Sequence, residues 1–194
     1  SANHNGDINN AYKIIEMAKS FGAEACFVRP ADLATDEASK LPVIRHAFIE
    51  SERHYGQQFD VLVDLDVTSP LRLVQDISGA YDQFQEEDAD MLITASPARR
   101  NPYFNMVEKV DGRVDIVKQM ENPPVRRQDA PQVYDMNASI YIWKRNALLS
   151  SDNLFTEKTS LFIMPEERSV DIDTALDWDF VEFVLGKRRD KFNV

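Results

Sequence analysis

Arg168-Ser169-Val170-Asp171-Ile172-Asp173-Thr174-Ala175-Leu176-Asp177 is the stretch on which the reading of this chain turns. It reads as the end of a strand running into a helix. Alternate residues of a strand share a face, so Asp171 and Asp173 are expected to point together while Val170 and Ile172 face the core. Thr174 then caps the helix, and Asp177, three residues on, closes a capping box. Two carboxylates on one face repel unless a cation lies between them or one takes a proton. A hard, oxygen-seeking ion such as Mg²⁺ suits such a pair. The alternative is that both acids only decorate a helix N-terminus, where the dipole favours negative charge.

Composition narrows the class. The chain has 194 residues, 43% of them hydrophobic, which suits a single domain over 1–194 with a sizeable core. Its one cysteine, Cys26, rules out a disulfide framework within the chain and suggests a reducing, cytoplasmic compartment. No run approaches the roughly 20 apolar residues of a membrane span, and no basic-then-apolar leader opens the sequence. A net charge of −11 repels phosphate backbones and argues against a nucleic-acid partner. It leaves room for a small anionic ligand if a metal and a few arginines are focused at one site.

Upstream of the acidic stretch the sequence alternates helix and strand. Apolar residues at Ile8, Ala11, Tyr12, Ile15, Ala18 and Phe21 predict a helix from Asp7 that stops at Gly22. Ala25–Val28 reads as a short buried strand, half of a βαβ unit. Arg29-Pro30 follows it, in the position after a strand where α/β proteins bind ligands, or as a plain surface loop. A helix over 41–55 is expected to tolerate Pro42 in its first turn and to bury Val43, Ile44, Ala47 and Phe48. His46 and His54 show no ligand spacing and read as ordinary packing or surface residues. Phe59–Asp66 is nearly apolar at its centre and reads as a central parallel strand covered by helices. Thr68 and Ser69 then offer hydroxyls and backbone N–H groups, and Pro70 leads into a helix over 73–86 with Val74, Ile77, Ala80, Tyr81 and Phe84 inward. Met91–Ala95 is another buried strand.

Past Ala95 the pattern changes. Asn101–Val110 reads as antiparallel strand, Asp111-Gly112 as a hairpin turn, and Val114–Val117 as the return. A proline-rich arm carries Arg126-Arg127-Gln128, a local cation pair suited to a carboxylate or phosphate, or to a surface ion-pair group. Tyr134–Trp143 is a strand with small residues at Ala138 and Ser139. These leave room for a ligand beside Asn137 and Tyr141, or let two backbones approach. The last helix, 174–186, is expected to bury Leu176, Phe180, Val181 and Val184.

Taken in order, Arg29-Pro30 with its Ala-x-Leu-Ala continuation, Thr68-Ser69-Pro70-Leu71-Arg72, Arg126-Arg127-Gln128, Asn137–Tyr141 and Asp171-Ile172-Asp173-Thr174 resemble the acylneuraminate cytidylyltransferases. The likeness runs from about Asp7 to Leu185. It implies a Rossmann-like, GT-A-type α/β nucleotidyltransferase, with a mostly parallel sheet flanked by helices and a small β dimerisation arm at 101–134. It implies a reaction of CTP with a nine-carbon sugar acid that gives the CMP-sugar and pyrophosphate. On that resemblance Asp171 and Asp173 hold Mg²⁺, and Arg29, Thr68 and Ser69 serve the nucleotide. Asn137 and Tyr141 contact the sugar, while Arg127, Leu154 and Phe155 reach the sugar site of the partner subunit in a homodimer.

Two departures stand out. Asp66 lies where many members have a sugar-contacting glutamine, so it is either a sugar contact for a different acid (legionaminate, pseudaminate or 3-deoxy-manno-octulosonate) or a further metal-side carboxylate. The family's opening strand and Pro-Ala-Arg-x-Gly-Ser-Lys phosphate loop is not among these residues. The scattered glycines at 6, 22, 56, 79, 112 and 186 form no such cradle. The sequence is therefore expected to lack an N-terminal segment that the working enzyme has. The alternative is a non-catalytic, nucleotide-binding or dimerising relative.

Overall fold

The computed structural model describes residues 4–24, 27–35 and 39–192. In chain order its elements are α1 (His4–Ser20), α2 (Lys40–Tyr55), β1 (Val61–Leu65), α3 (Val74–Glu86), β2 (Met91–Pro97), β3 (Val107–Val110), β4 (Arg113–Ile116), β5 (Tyr134–Lys144), α4 (Arg145–Ser150), β6 (Thr159–Ile163) and α5 (Ala175–Phe192). They form two compact units, one of Ser1–Leu62 with Lys144–Leu154 and one of Val63–Trp143 with Phe155–Val194.

In the first unit, α2 follows its sequence pattern. Pro42 sits in the first turn, where its missing N–H costs nothing, and Gly56 ends the helix at φ +64°. Ile44 and Phe48 are buried, with the Phe48 and Phe59 rings 6.5 Å apart. Arg145 forks onto Glu52 at 2.8 and 3.1 Å, and Glu52 Oε1 also accepts the Phe59 N–H at 3.0 Å. The Arg145 guanidinium holds the Glu52 carboxyl below its ordinary value. Helix α1 ends before Gly22 at φ +89°. Ile15 and Ala18 are half-buried, but Tyr12 and Phe21, expected inward, are exposed. Phe27 and Val28 carry no strand pairing, so the expected strand at 25–28 is not formed there; Ala25 and Cys26 lie outside the described residues.

The second unit is built on a mixed four-stranded sheet of order β1-β5-β2-β6. Strand β2 runs antiparallel to β5 and parallel to β6. This is α/β architecture compatible with a Rossmann-like fold, but the sheet is mixed rather than mostly parallel. The central, doubly covered strand is β2, buried continuously from Met91 to Ser96. Among the described residues β1 is an edge strand, with Val63 and Leu65 partly exposed. An apolar run reports that a strand is buried, not which neighbours flank it. Trp143, Phe84, Leu71, Leu92, Ile140, Ile142 and Met164 make the core. Helix α3 lies close on β6: a Cβ at Gly79 would meet Phe162 Cζ at 3.1 Å. Ala80 and Phe84 face the core as expected, whereas Val74 and Tyr81 are exposed.

Asp111 (φ +51°) and Gly112 (φ +82°) close the β3–β4 hairpin with both central residues left-handed, the turn that matches strand twist. The strand expected from Asn101 begins only at Val107, because Asn101 folds 101–105 into a turn. Its Oδ1 accepts the Tyr103 N–H at 2.9 Å and its Nδ2 donates to Pro131 O at 2.9 Å, closing the arm at its base. At the other end, α5 buries Val181, but Leu176 is 76% and Phe180 46% exposed. Leu176, Phe180 and Phe183 share one stripe of α5 while Trp178 and Leu185 lie on the opposite side, so a single packed side cannot cover all five.

Candidate functional site

Three segments of the second unit meet: the loop 66–73 after β1, a bulge in β5, and the loop 169–174 after β6. The bulge is the unusual one. Ile93 pairs with Tyr141 and Ala95 with Met136, so residues 137–140 stand opposite Thr94 alone. Ala138 takes φ +50°, a strained value for a residue with a Cβ. Thr94 fills the break, its Oγ1 donating to Asn137 Oδ1 at 2.7 Å and accepting the Ile140 N–H at 3.0 Å. Asn137 Oδ1 also accepts the Ser139 N–H at 3.2 Å, and its Nδ2 donates to Ser169 Oγ at 2.9 Å.

The loop 66–73 docks on that bulge. The Asp66 N–H donates to Ser139 O at 3.3 Å, and Ser69 Oγ donates to Asn137 O at 3.1 Å. The Arg72 guanidinium draws three carbonyls together, those of Asp66, Ser69 (2.9 Å) and Ser139 (3.4 Å). Burial pulls the Arg72 guanidinium below its ordinary value, and the charges of Asp66 and Asp64 oppose this. Asp66 Oδ1 accepts both the N–H (3.3 Å) and the hydroxyl (3.0 Å) of Thr68, which folds the start of the loop on itself.

The loop 169–174 is not the strand end expected from alternation. Strand β6 stops at Ile163, and Pro165 leads into a single 3₁₀ turn, Glu166–Arg168. The Ile172 N–H is instead spent on Thr68 O at 2.9 Å, which lays this loop against the 66–73 loop. Val170 and Ile172 are half-buried, as is Asp171, and Asp173 is exposed, so alternation is lost. Asp171 Oδ1 is buried and has no hydrogen-bond partner. The capping box is present: Asp177 Oδ2 accepts the Thr174 N–H at 2.8 Å, and Thr174 Oγ1 accepts the Asp177 N–H at 3.3 Å. These bonds, the Thr174 hydroxyl's above all, hold the Asp177 carboxyl below its ordinary 3.8.

Of the residues singled out in the sequence, the structure brings together Asp66, Thr68, Ser69, Asn137 and the Asp171 segment. Ser69 and Asn137 are buried with their side chains committed to internal partners. Both side chains thus tie the 66–73 loop, the β5 bulge and the 169–174 loop together. The small residues at 138 and 139 serve close backbone approach, with Ser139 O taking donors from the 66–73 loop. Tyr141 is buried in β5 opposite Ile93. Arg127 sits at the base of the arm, donating to Arg99 O at 2.8 Å and Ala98 O at 3.3 Å. Its neighbour Arg126 is paired with Asp129 and does not form a free cation pair with it. Phe155 is exposed in this unit, while Arg29 and Leu154 belong to the first unit.

Thr94, Asp76, Arg168 and Ser169 escaped the sequence reading. Thr94 had one signal, a hydroxyl inside an otherwise apolar strand. Asp76 had another, an acid three residues into a helix start, where it accepts the Leu73 N–H. Arg168 and Ser169 had none, because their partners in α3 and β5 are distant in sequence. Among the described residues, no group of three or more His, Cys, Asp or Glu side chains converges to hold a metal without further ligands. An orphaned, buried Asp171 oxygen fits an ion that takes one or two protein carboxylates and completes its shell with substrate phosphates and water.

No family model matches the chain. Individual relatives do. The chain is 50% identical over 174 residues to a CMP-N,N'-diacetyllegionaminic acid synthase of Campylobacter jejuni, covering 90% of this chain and 73% of that protein. It is 47% identical over 176 residues to post-translational flagellin modification protein B of Campylobacter coli, covering 91% and 74%. A pseudaminic acid cytidylyltransferase of Campylobacter jejuni is 30% identical over 176 residues, covering 89% and 73%. The chain belongs to the acylneuraminate-type cytidylyltransferase family, nucleotidyltransferases that join CMP from CTP to a sugar acid. No helix among the described residues is long and apolar enough to cross a membrane.

Proposed function

We propose that this protein activates a legionaminate-type sugar acid as its CMP derivative, in the cytoplasm, with Mg²⁺ held by Asp171 and Asp173. The observation that carries the metal reading is the buried, unpartnered Oδ1 of Asp171. A carboxylate oxygen removed from water without a donor is costly unless a cation meets it. The sugar reading rests on the 50% identity to a diacetyllegionaminic acid synthase, against 30% to a pseudaminic acid enzyme.

The chemistry is attack of the sugar's anomeric hydroxyl on the α-phosphorus of CTP, with pyrophosphate leaving. When bound, Mg²⁺ would neutralise charge on the triphosphate. The chain's own part is positioning. The Asn137–Thr94 bulge and the Arg72 guanidinium hold the Asp66–Ser69 loop against the Asp171 loop, so that the carboxylates and the loop's backbone are set before substrate arrives. Asp66 lies in that loop as the sugar-side or metal-side acid, and Asn137 and Tyr141 of β5 are assigned to the sugar on their motif. Arg29 is assigned to cytidine, and Thr68 to the nucleotide side, on their motifs. Val107, Ile116 and Val114 share one face of the β3–β4 hairpin, two of them largely exposed. This largely apolar face, which also carries Lys109 opposite Val114, supports an arm that joins two subunits, through which Arg127, Leu154 and Phe155 would complete the partner's sugar site.

The test is pyrophosphate release by the full-length protein with CTP, Mg²⁺ and a panel of sugar acids. N,N'-diacetyllegionaminate is expected to give the highest kcat/KM, ahead of pseudaminate and N-acetylneuraminate. A preference for either of those over legionaminate would overturn the substrate reading.

A further inference from the structure

We propose that Arg168 and Asp76 are positioning residues for the Asp171 carboxylate; this rests on the reading of Asp171 as a metal ligand. Asp76 is buried and Arg168 nearly so, with side chains 3% and 17% exposed. The guanidinium forks onto the carboxylate, Nε to Oδ2 at 2.8 Å and Nη2 to Oδ1 at 2.7 Å. Asp76 Oδ2 also accepts the Leu73 N–H at 2.8 Å, so the same carboxylate caps α3 and ends the 66–73 loop. The Asp76 carboxylate in turn raises the Arg168 guanidinium above its ordinary value.

The placement of the pair gives it a purpose beyond stability. A buried ion pair is commonly no more stabilising than well-packed apolar residues of the same size, so its use points to geometry that must be specified. Arg168 lies three residues before Asp171 and is pinned to α3. One residue after Asp171, the Ile172 N–H is pinned to Thr68 O at 2.9 Å, in the loop leading to α3. Ser169 is pinned to Asn137 Nδ2 at 2.9 Å. Asp171 is therefore held on both sides against one support, with its buried oxygen kept turned inward. Outer partners that orient a metal ligand act in this way.

The test is a Mn²⁺ titration of the full-length protein, with free ion counted by electron paramagnetic resonance and the urea midpoint measured in parallel. Asp171→Asn, Asp76→Asn and Arg168→Lys are compared with wild type. The two clamp variants are expected to raise the Mn²⁺ dissociation constant about 10-fold or more. Arg168→Lys, which keeps a cation beside Asp76, provides the reading if Asp76→Asn does not fold. If Asp171→Asn weakens Mn²⁺ while a folded clamp variant keeps the wild-type constant and only lowers the urea midpoint, the positioning role is wrong. If Asp171→Asn itself leaves Mn²⁺ binding unchanged, the metal reading is wrong and the clamp proposal falls with it.

Discussion

Thr94 and Asn137 hold each other across the break in β2–β5 pairing, Thr94 Oγ1 donating to Asn137 Oδ1 at 2.7 Å inside the core. Four residues of β5 are folded out opposite one of β2, and Thr94's hydroxyl is what satisfies the groups this exposes. Thr94→Val keeps the shape but leaves Asn137 Oδ1 with less and the Ile140 N–H with no acceptor there. We expect a loss of about 1–3 kcal/mol in urea unfolding, with Thr94→Ser close to wild type. A loss in Thr94→Ser with none in Thr94→Val would mean that the methyl group, not the hydroxyl, matters.

Asp173 is exposed, and the bond it makes near the cap is through its backbone N–H, to Asp177. Asp173→Ala should therefore leave the urea midpoint unchanged while abolishing Mg²⁺-dependent turnover. Steady-state rates at several Mg²⁺ concentrations check this; unchanged activity would remove Asp173 from the metal site.

The capping box makes a pH prediction. The folded Asp177 carboxyl titrates below its ordinary 3.8. Its contribution is then fully present above about pH 4 and is lost as pH falls through the lower folded value. Asp177→Asn should be less stable than wild type near neutral pH, and the gap should close as pH falls through the lowered folded value. Urea unfolding of both proteins across that window reads the gap; a gap that widens on acidification contradicts the sign.

The hairpin predicts an oligomeric state. Val107 and Val114 are more than half exposed on a face they share with Ile116. If this face joins two subunits, Val107→Glu with Val114→Glu should shift the full-length protein from dimer to monomer in sedimentation equilibrium. A wild-type protein that sediments as monomer would overturn the arm assignment outright.

What the sequence determined by itself was local or carried by ordered motifs. Pro42 in the first turn of α2, Gly56 after its last, the left-handed pair Asp111-Gly112, and the reciprocal Thr174–Asp177 cap all follow from backbone chemistry within a few residues. Such chemistry is legible wherever it occurs. The family, too, was legible, because its motifs recur in order from Arg29 to Asp173.

Tertiary structure decided the rest. Among the described residues it put β1 at the edge of the sheet and β5 and β2 inside it, turned 169–174 into a loop, and left Leu176 and Phe180 exposed on α5. It also gathered Thr94, Asn137, Asp76, Arg168 and Ser169, whose partners lie 32 to 92 residues away in sequence. The reason is physical. Periodicity reports that a side chain is apolar and which way it faces, whereas burial and buried hydrogen bonding depend on what the rest of the chain brings to the other side.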